Sequence, residues 1–269
     1  MPGFPALSHP GWSDRFPWVV QGTTLRGDGA SPFDLGLFGQ VAPTLEVRGN
    51  WATLVRETGA VGAFHARQMH GAIVRTHAAS SAADETSRAP QSSETDVHSE
   101  HAPACPSLVE PCDGHATASP GILLAVTVAD CVPVFVVDRR RRAVAAVHAG
   151  WRGVAAGVLE EGLRVMKRSW GTTPEDVTIH LGPAICGACY EVGPEVFAAL
   201  DQPVPEGATP IDLREVLAVR AVRAGVAGGE VSMSTHCTLC TDSGLFSHRG
   251  GDSGRQVGFV GVRPLGNVG

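Results

Sequence analysis

Three short segments of the chain place a metal-binding side chain beside small or turn-forming residues: Gln68-Met69-His70-Gly71, Ala129-Asp130-Cys131-Val132-Pro133 and His148-Ala149-Gly150-Trp151-Arg152-Gly153. Two imidazoles and one thiolate match the borderline softness of zinc. Three protein ligands also leave the fourth tetrahedral position open for water or substrate, as in a catalytic rather than a structural site. The expected centre is therefore a divalent metal held by His70, Cys131 and His148, with zinc the first choice and copper the second. Each residue taken singly has an ordinary explanation, because lone buried Cys and His are common core residues. The third segment carries something more. Gly150 and Gly153 bracket Trp151 and Arg152 just ahead of a helical pattern, so free backbone N–H groups and a guanidinium converge, as they do around bound oxyanions. A phosphate held by Arg152 next to the metal is the chemistry this implies, with Arg249 and Arg26 as the next candidates for the anion. Asp130 either hydrogen-bonds a liganding His from behind or caps the turn after a strand. A Cys–His hydrolase, with Cys131 as nucleophile and His148 as base, is the competing use of the same residues, but it gives His70 no task. A pure binding module would leave an open ligand triad beside an anion site unexplained.

The elements that must position these residues are partly legible. Ile122–Val128 and Val132–Val137 are short, β-branched apolar runs of the kind found in strands buried on both faces, and Arg142–Val147 is another. Cys131 and His148 each sit where such a run stops, which places both at one edge of a sheet. Residues 154–169 have helical spacing, with Gly171 as the stop. Asp212 and Glu215 form an Asp-x-x-Glu capping box for a helix ending near Gly225. A further helix is expected from Trp51 to Glu57. Strands and helices alternate without a βαβ rhythm, which favours α+β over a doubly wound sheet. Residues 78–111, rich in Ser, Ala, acidic residues and Pro and lacking any aromatic, read as a mobile surface loop, and His98, His101 and Cys105 within it as bystanders. The chain has 269 residues, of which 43% are hydrophobic, enough for one large domain spanning 1–269.

Composition excludes several partners. With 21 basic and 27 acidic residues, net charge −6 and no basic block, the chain is a poor ligand for nucleic acid. Neither a secretion signal nor an apolar run of about 18 to 20 residues is present, so a cytoplasmic protein without a membrane span is expected. Seven cysteines, an odd number, argue against a disulfide framework in that compartment. The spacing of Cys186 to Cys189 and of Cys237 to Cys240 invites a structural zinc, but buried thiols are the preferred reading of both pairs. A multicopper oxidase of the usual kind would need about ten His ligands, many in His-x-His pairs, and this chain has no His-x-His.

Gln68–Gly71, Ala129–Val134, His148–Gly153, Leu181–Gly193 and the C-terminal Cys237-Thr238, Phe246-Ser247-His248-Arg249 and Gly254-Arg255-Gln256 together resemble the YfiH-like proteins, long labelled multicopper polyphenol oxidases or laccases and later recognised as purine nucleoside phosphorylases. The resemblance runs from about Phe16 to Gly261. It implies a single α+β domain, a layered α/β/β/α arrangement with two packed mixed sheets. It implies zinc on His70, Cys131 and His148. The implied activity is phosphorolysis of adenosine, inosine, guanosine and methylthioadenosine, with adenosine deamination beside it; a role for relatives in editing cell-wall precursors keeps an amidase-like alternative open. Two segments depart from the family pattern. Phe246-Ser247-His248-Arg249-Gly250 stands where Phe-Ser-Tyr-Arg-Arg is common, and Asp28 replaces a glycine in Arg26-Gly27-Asp28-Gly29-Ala30-Ser31. Both bear on which nucleoside fits, and Arg26 and Arg249 are expected to bind substrate.

Overall fold

The computed structural model describes residues 3–27, 31–38, 44–78 and 105–264. Asp28–Ala30 and most of the segment at 78–111, with His98 and His101, lie outside them. The chain runs through β1 (Ala6–Leu7), α1 (Trp12–Arg15), β2 (Val19–Thr24), α2 (Leu45–Thr58), β3 (Gly62–Ala66), β4 (Val74–His77) and β5 (Ser107–Val109). It continues through β6 (Gly114–Thr117), β7 (Ile122–Val128), β8 (Val132–Asp138), β9 (Ala143–Ala149), α3 (Trp151–Ala155), α4 (Val158–Trp170) and β10 (Val177–Leu181). The last part holds β11 (Glu191–Val192), α5 (Pro194–Ala199), β12 (Thr209–Pro210), α6 (Leu213–Arg223), β13 (Val231–Met233) and β14 (Gln256–Val262).

Two six-stranded mixed sheets result, one in the order β1-β2-β14-β7-β3-β5 and the other β13-β10-β8-β9-β6-β4. Strand parity explains how they stack, because successive side chains point to opposite faces. Leu124 and Val126 of β7 and Val260 of β14 meet Phe135, Val137, Val144 and Ala146 of β8 and β9 in one buried layer between the sheets. Leu123, Ala125 and Phe259 point the other way, onto Trp51 and Leu54 of α2. Val134, Val136, Ala145 and Val147 face outward under Leu159 and Met166 of α4 and Leu217 of α6. The layers are α/β/β/α, the α+β arrangement expected. No helix among the described residues is long and apolar enough to cross a membrane.

The central strands begin and end within two residues of the apolar runs, with β9 continuing through His148. The expected helix at 154–169 is two helices: Gly157 in the left-handed region (φ 79) breaks the run, so Trp151 and Arg152 lie in a separate short helix. Helix α2 starts at Leu45, earlier than Trp51, because the Thr44 hydroxyl caps it by accepting from the Val47 N–H. At α6, Asp212 does cap, though onto the Arg214 N–H. Residues 107–109, assigned from composition to a mobile loop, form β5, a parallel edge strand on β3. Backbone pairing holds this strand while Leu108 stays exposed, so its side chains gave no apolar pattern to read. The CxxC cysteines are not four separate buried thiols: only Cys237 is buried, Cys240 is exposed, and all four sulfurs gather in one place.

Candidate metal centre

Two of the three ligand segments lie on connections that cross from one sheet to the other, and the third is the end of β9 and its turn into α3. Residues 67–73 leave β3 in the first sheet for β4 in the second, and 129–131 leave β7 for β8. Gln68 anchors the first crossing to the end of β7: its amide donates to the Thr127 carbonyl (2.8 Å) and its Oε1 accepts from the Thr127 N–H (2.7 Å). The second crossing turns at Asp130, whose φ of 84° lies in the left-handed region. Antiparallel pairing of β8 with β9 sets Pro133 opposite His148 and Val132 opposite Ala149, which brings Cys131 beside Gly150. His148 has the parity of Val144 and Ala146, so it points between the sheets at their rim. The ligand atoms of His70, Cys131 and His148 consequently lie within 4.8 Å of one another. His148 is buried, Cys131 half-buried and His70 exposed, which leaves one side of the triad open.

Asp113, just ahead of β6, holds the triad from behind. It is 1% exposed, and its Oδ1 lies 3.0 Å from Nδ1 of His148. The same carboxylate accepts the backbone N–H groups of Met69 (3.1 Å), His70 (2.8 Å) and Gly71 (2.8 Å), while the His148 N–H donates to the Asp113 carbonyl (2.7 Å). One side chain thus fixes both His ligands and stabilises the left-handed backbone at His70 (φ 58). It commits His148 Nδ1 to carboxylate and leaves Nε2 facing the other ligands, the carboxylate–histidine arrangement of metal sites. Asp130 does neither of the things expected of it. Its carboxylate accepts from Thr238 Oγ1 (2.5 Å) and the Arg249 N–H (2.7 Å), tying down the C-terminal segment.

The electrostatics suit metal binding. Burial opposes ionisation of the Cys131 thiol, but the imidazoles of His148 and His70 beside it bring it down to about 6. Burial equally opposes charge on His148, and Cys131 and Asp113 outweigh it, holding the imidazole up to about 9. Burial would raise the Asp113 carboxyl, yet the hydrogen bonds from His148, Gly71 and His70 keep it below the usual carboxylate range. Cys131 and His148 are therefore a coupled thiolate–imidazolium pair, the thiolate already in its ligating form. Packing agrees: a Cβ built on Gly150 would lie 2.9 Å from Cys131 Sγ and 3.1 Å from His70 Cδ2, so only glycine leaves the ligands their positions. Two imidazoles and a thiolate, with a carboxylate behind one of them, fit a zinc ion of open coordination.

Beside Cys131 lies a cavity of about 200 Å³ lined by Ala129, Asp130, Cys131, Ile185, Tyr190, Leu213, His248 and Arg249. The Arg249 guanidinium sits 5.5 Å from the Tyr190 ring centroid and donates to the Glu191 carbonyl. Arg152 is exposed, stacks over Trp151 at 4.2 Å and lies within electrostatic reach of the Tyr190 hydroxyl. Of the three candidate anion-binding residues, Arg249 alone is part of the cavity lining, while Arg152 stands exposed at the start of α3, four residues after His148. Arg26 does not line the cavity. Its guanidinium pairs with Asp252 (2.5 Å), donates to the Leu245 carbonyl and lies over Phe246, because Asp252 offers a carboxylate at closer range. Asp252 also accepts the Ser247 N–H, so Arg26 braces the turn that carries His248 and Arg249. Asp113, Tyr190 and Thr238 escaped the reading of the sequence. Tyr190 and Thr238 lie inside two of the segments that carry the resemblance, Leu181–Gly193 and Cys237-Thr238, but took no role from it, and Asp113 stands immediately before the strand Gly114–Thr117.

The fold and much of the sequence are shared with known proteins. A solved structure titled hypothetical protein YfiH from Bacillus licheniformis superposes with a TM-score of 0.80 at 26% identity, covering 98% of this chain and 97% of that one. A protein named purine nucleoside phosphorylase from Bacteroides thetaiotaomicron is 38% identical over 161 residues, 55% of this chain and 60% of its own length. One named adenosine deaminase RL5, from an unknown prokaryotic organism, is 35% identical over 167 residues, 57% of this chain and 63% of its own. The match to these two thus spans about three-fifths of their length. Residues 22–263, which include every ligand and both crossings, match the family model described as multi-copper polyphenol oxidoreductase laccase, and the chain belongs to that family, the YfiH-like proteins.

Proposed function

We propose that the chain is a zinc-dependent purine nucleoside phosphorylase taking adenosine, inosine, guanosine and methylthioadenosine, with adenosine deamination as a companion activity. The convergence of His70, Cys131 and His148, with Cys131 on the wall of a cavity that Arg249 also lines, carries this reading. Relatives named for both reactions support it. Bound to the triad, zinc supplies Lewis acidity toward the oxyanion or water that attacks the nucleoside. The residues do the rest. At about 200 Å³ the cavity is smaller than the roughly 300–1,000 Å³ of sites that enclose a whole ligand. It takes the flat base against Tyr190, Ile185 and Leu213 and leaves the ribose at its mouth. Phosphate lies there between Arg152 and Arg249. In the reaction a phosphate oxygen bonds to the anomeric carbon as its bond to the purine nitrogen breaks, and the base leaves with that electron pair and takes up a proton. Positive charge gathers on the sugar, and phosphate held against it stabilises that charge. A cytoplasmic location suits both the substrate and seven free cysteines.

Incubating the zinc-loaded protein with adenosine and with inosine, each with and without inorganic phosphate, tests the reading. Free base and ribose 1-phosphate should form only with phosphate present, and inosine should form from adenosine regardless of it. No consumption of either nucleoside refutes the proposal. Replacing Arg152 by Ala should raise the phosphate KM several-fold without changing zinc content. The thiolate–imidazolium pair of Cys131 and His148 favours one second reading, a Cys–His hydrolase or amidase. The two readings oppose each other on zinc: chelation abolishes a phosphorylase but activates an enzyme whose nucleophile the metal had occupied.

A further inference from the structure

Four cysteines remain outside the centre just described. Cys186 precedes and Cys189 ends a single 3-10 turn, Gly187–Cys189, after β10; Cys237 and Cys240 lie in the turn that follows β13. A parallel bridge between Ala184 and Cys237 brings the two turns together. All four Sγ atoms then fall within 4.8 Å of one another, and Cys186 and Cys240 approach to 3.7 Å as free thiols. We propose that these cysteines bind a second zinc ion, a structural one, that clips the 186–189 turn to the root of the C-terminal segment.

Three observations carry it. A Zn–S length of about 2.3 Å places the sulfurs of a tetrahedron about 3.8 Å apart, close to the Cys186–Cys240 separation. The amides of Cys186, Leu239 and Cys240 all point at Cys237 Sγ, at 3.2, 3.3 and 3.5 Å. Three donors on one sulfur suit a thiolate, since a thiol sulfur is a weak acceptor. A buried cation stands next door. The buried Arg214 guanidinium pairs with Asp212, which also takes the Gly187 N–H, and donates to the Ser234 and His236 carbonyls, spanning both turns. Four protein thiolates leave no position for substrate, so the ion's work is mechanical. Residues 234–255 form no helix or strand, yet they carry His248 and Arg249 to the cavity. Thr238, adjacent to Cys237, bonds Asp130, so the clip fixes that segment one residue from the cavity wall.

Metal analysis of the full chain as purified should find two zinc ions per chain. A His70→Ala, Cys131→Ala, His148→Ala variant should keep one, because its cysteine cluster is untouched. Exchanged for cobalt, that variant should show the intense thiolate-to-metal absorption of four thiolates. Cys186→Ser with Cys240→Ser should likewise retain one zinc, at the triad, and lower the melting temperature. A triad variant that holds no zinc overturns the assignment, and so does an intact mass showing that two of the four cysteines are joined as a disulfide. The count does not depend on turnover, so it stands or falls apart from the phosphorylase reading.

Discussion

Replacing Asp113 by Asn should weaken zinc at the triad by about 10- to 100-fold. Asp113 is 1% exposed and accepts from four donors: His148 Nδ1 and the amides of Met69, His70 and Gly71. Asn keeps one acceptor oxygen. With that oxygen in the place of Oδ1, the bonds to His148 and the His70 amide survive in neutral form, but the NH₂ group faces the Gly71 N–H across 2.8 Å, donor against donor. A charge-assisted hydrogen bond of this kind contributes about 1.5–3 kcal/mol. Part of that loss falls on stability and part on the two His ligands, since the carboxylate both orients His148 and stabilises the left-handed backbone of His70. Loss of an outer carboxylate typically lowers metal affinity by about one to two decades, or about 1.4–2.7 kcal/mol. The assay is competition with a zinc chelator, run with Cys186→Ser and Cys240→Ser in both proteins so that only the triad is titrated. Circular dichroism would verify that Asp113→Asn folds. A folded variant with zinc affinity within twofold of its parent would show that Asp113 neither orients His148 nor supports the His70 turn.

Gly150→Ala has an allowed backbone (φ −80, ψ 165), so its whole effect should come from the Cβ pressed against Cys131 and His70. Overpacking of this kind costs about 1–3 kcal/mol and should appear as lost zinc affinity. Gly207→Ala, where nothing lies within 4 Å, is the silent control. In the metal-free protein, alkylation of Cys131 followed by peptide mass spectrometry should stay fast from pH 9 down to about 7 and slow as pH falls through about 6, where the thiolate takes up its proton. His148→Ala should move that inflection toward the ordinary thiol range near 9, and an unmoved profile would remove His148 as its cause. Because His148 is protonated until about pH 9, zinc binding at pH 7.5 should release close to one proton, measurable by calorimetry in buffers of different ionisation enthalpy.

Much of this site was legible because its ligands have distinctive chemistry and stand beside strands whose apolar runs are unmistakable. Ile122–Val128 and Val132–Asp138 are buried on both faces, so nearly every residue reports the strand. The ends of those runs located Cys131 and His148 at one rim before any register was known. The supporting residues were illegible for a physical reason. Asp113 acts through backbone amides 42 to 44 residues away, and neither amide nor carboxylate leaves a periodic pattern. The break at Gly157 was hidden because the apolar face of the helix continues across it. The CxxC pairs were misread because their proximity depends on one parallel bridge at Ala184 and Cys237 and on no pattern within either segment.

The two halves of the pocket are held by different means. The triad stands on strand pairing, on Gln68 locked to β7 and on Asp113, contacts that use buried backbone and leave little freedom to the ligands. The opposite wall, with His248 and Arg249, belongs to a segment without regular structure, held by Asp130, by Arg26 through Asp252 and at its root by the cysteine turn. Substitutions in that wall can reshape the cavity without moving a ligand, whereas substitutions at the triad cannot. The departures from the family pattern at His248 and Gly250 fall in that segment, and Asp28 stands two residues beyond Arg26, which braces it. Exchanging His248 for Tyr should therefore alter the ratio of adenosine to inosine turnover while zinc affinity holds within about twofold. A change in zinc affinity as large as the change in that ratio would refute this separation of the two walls.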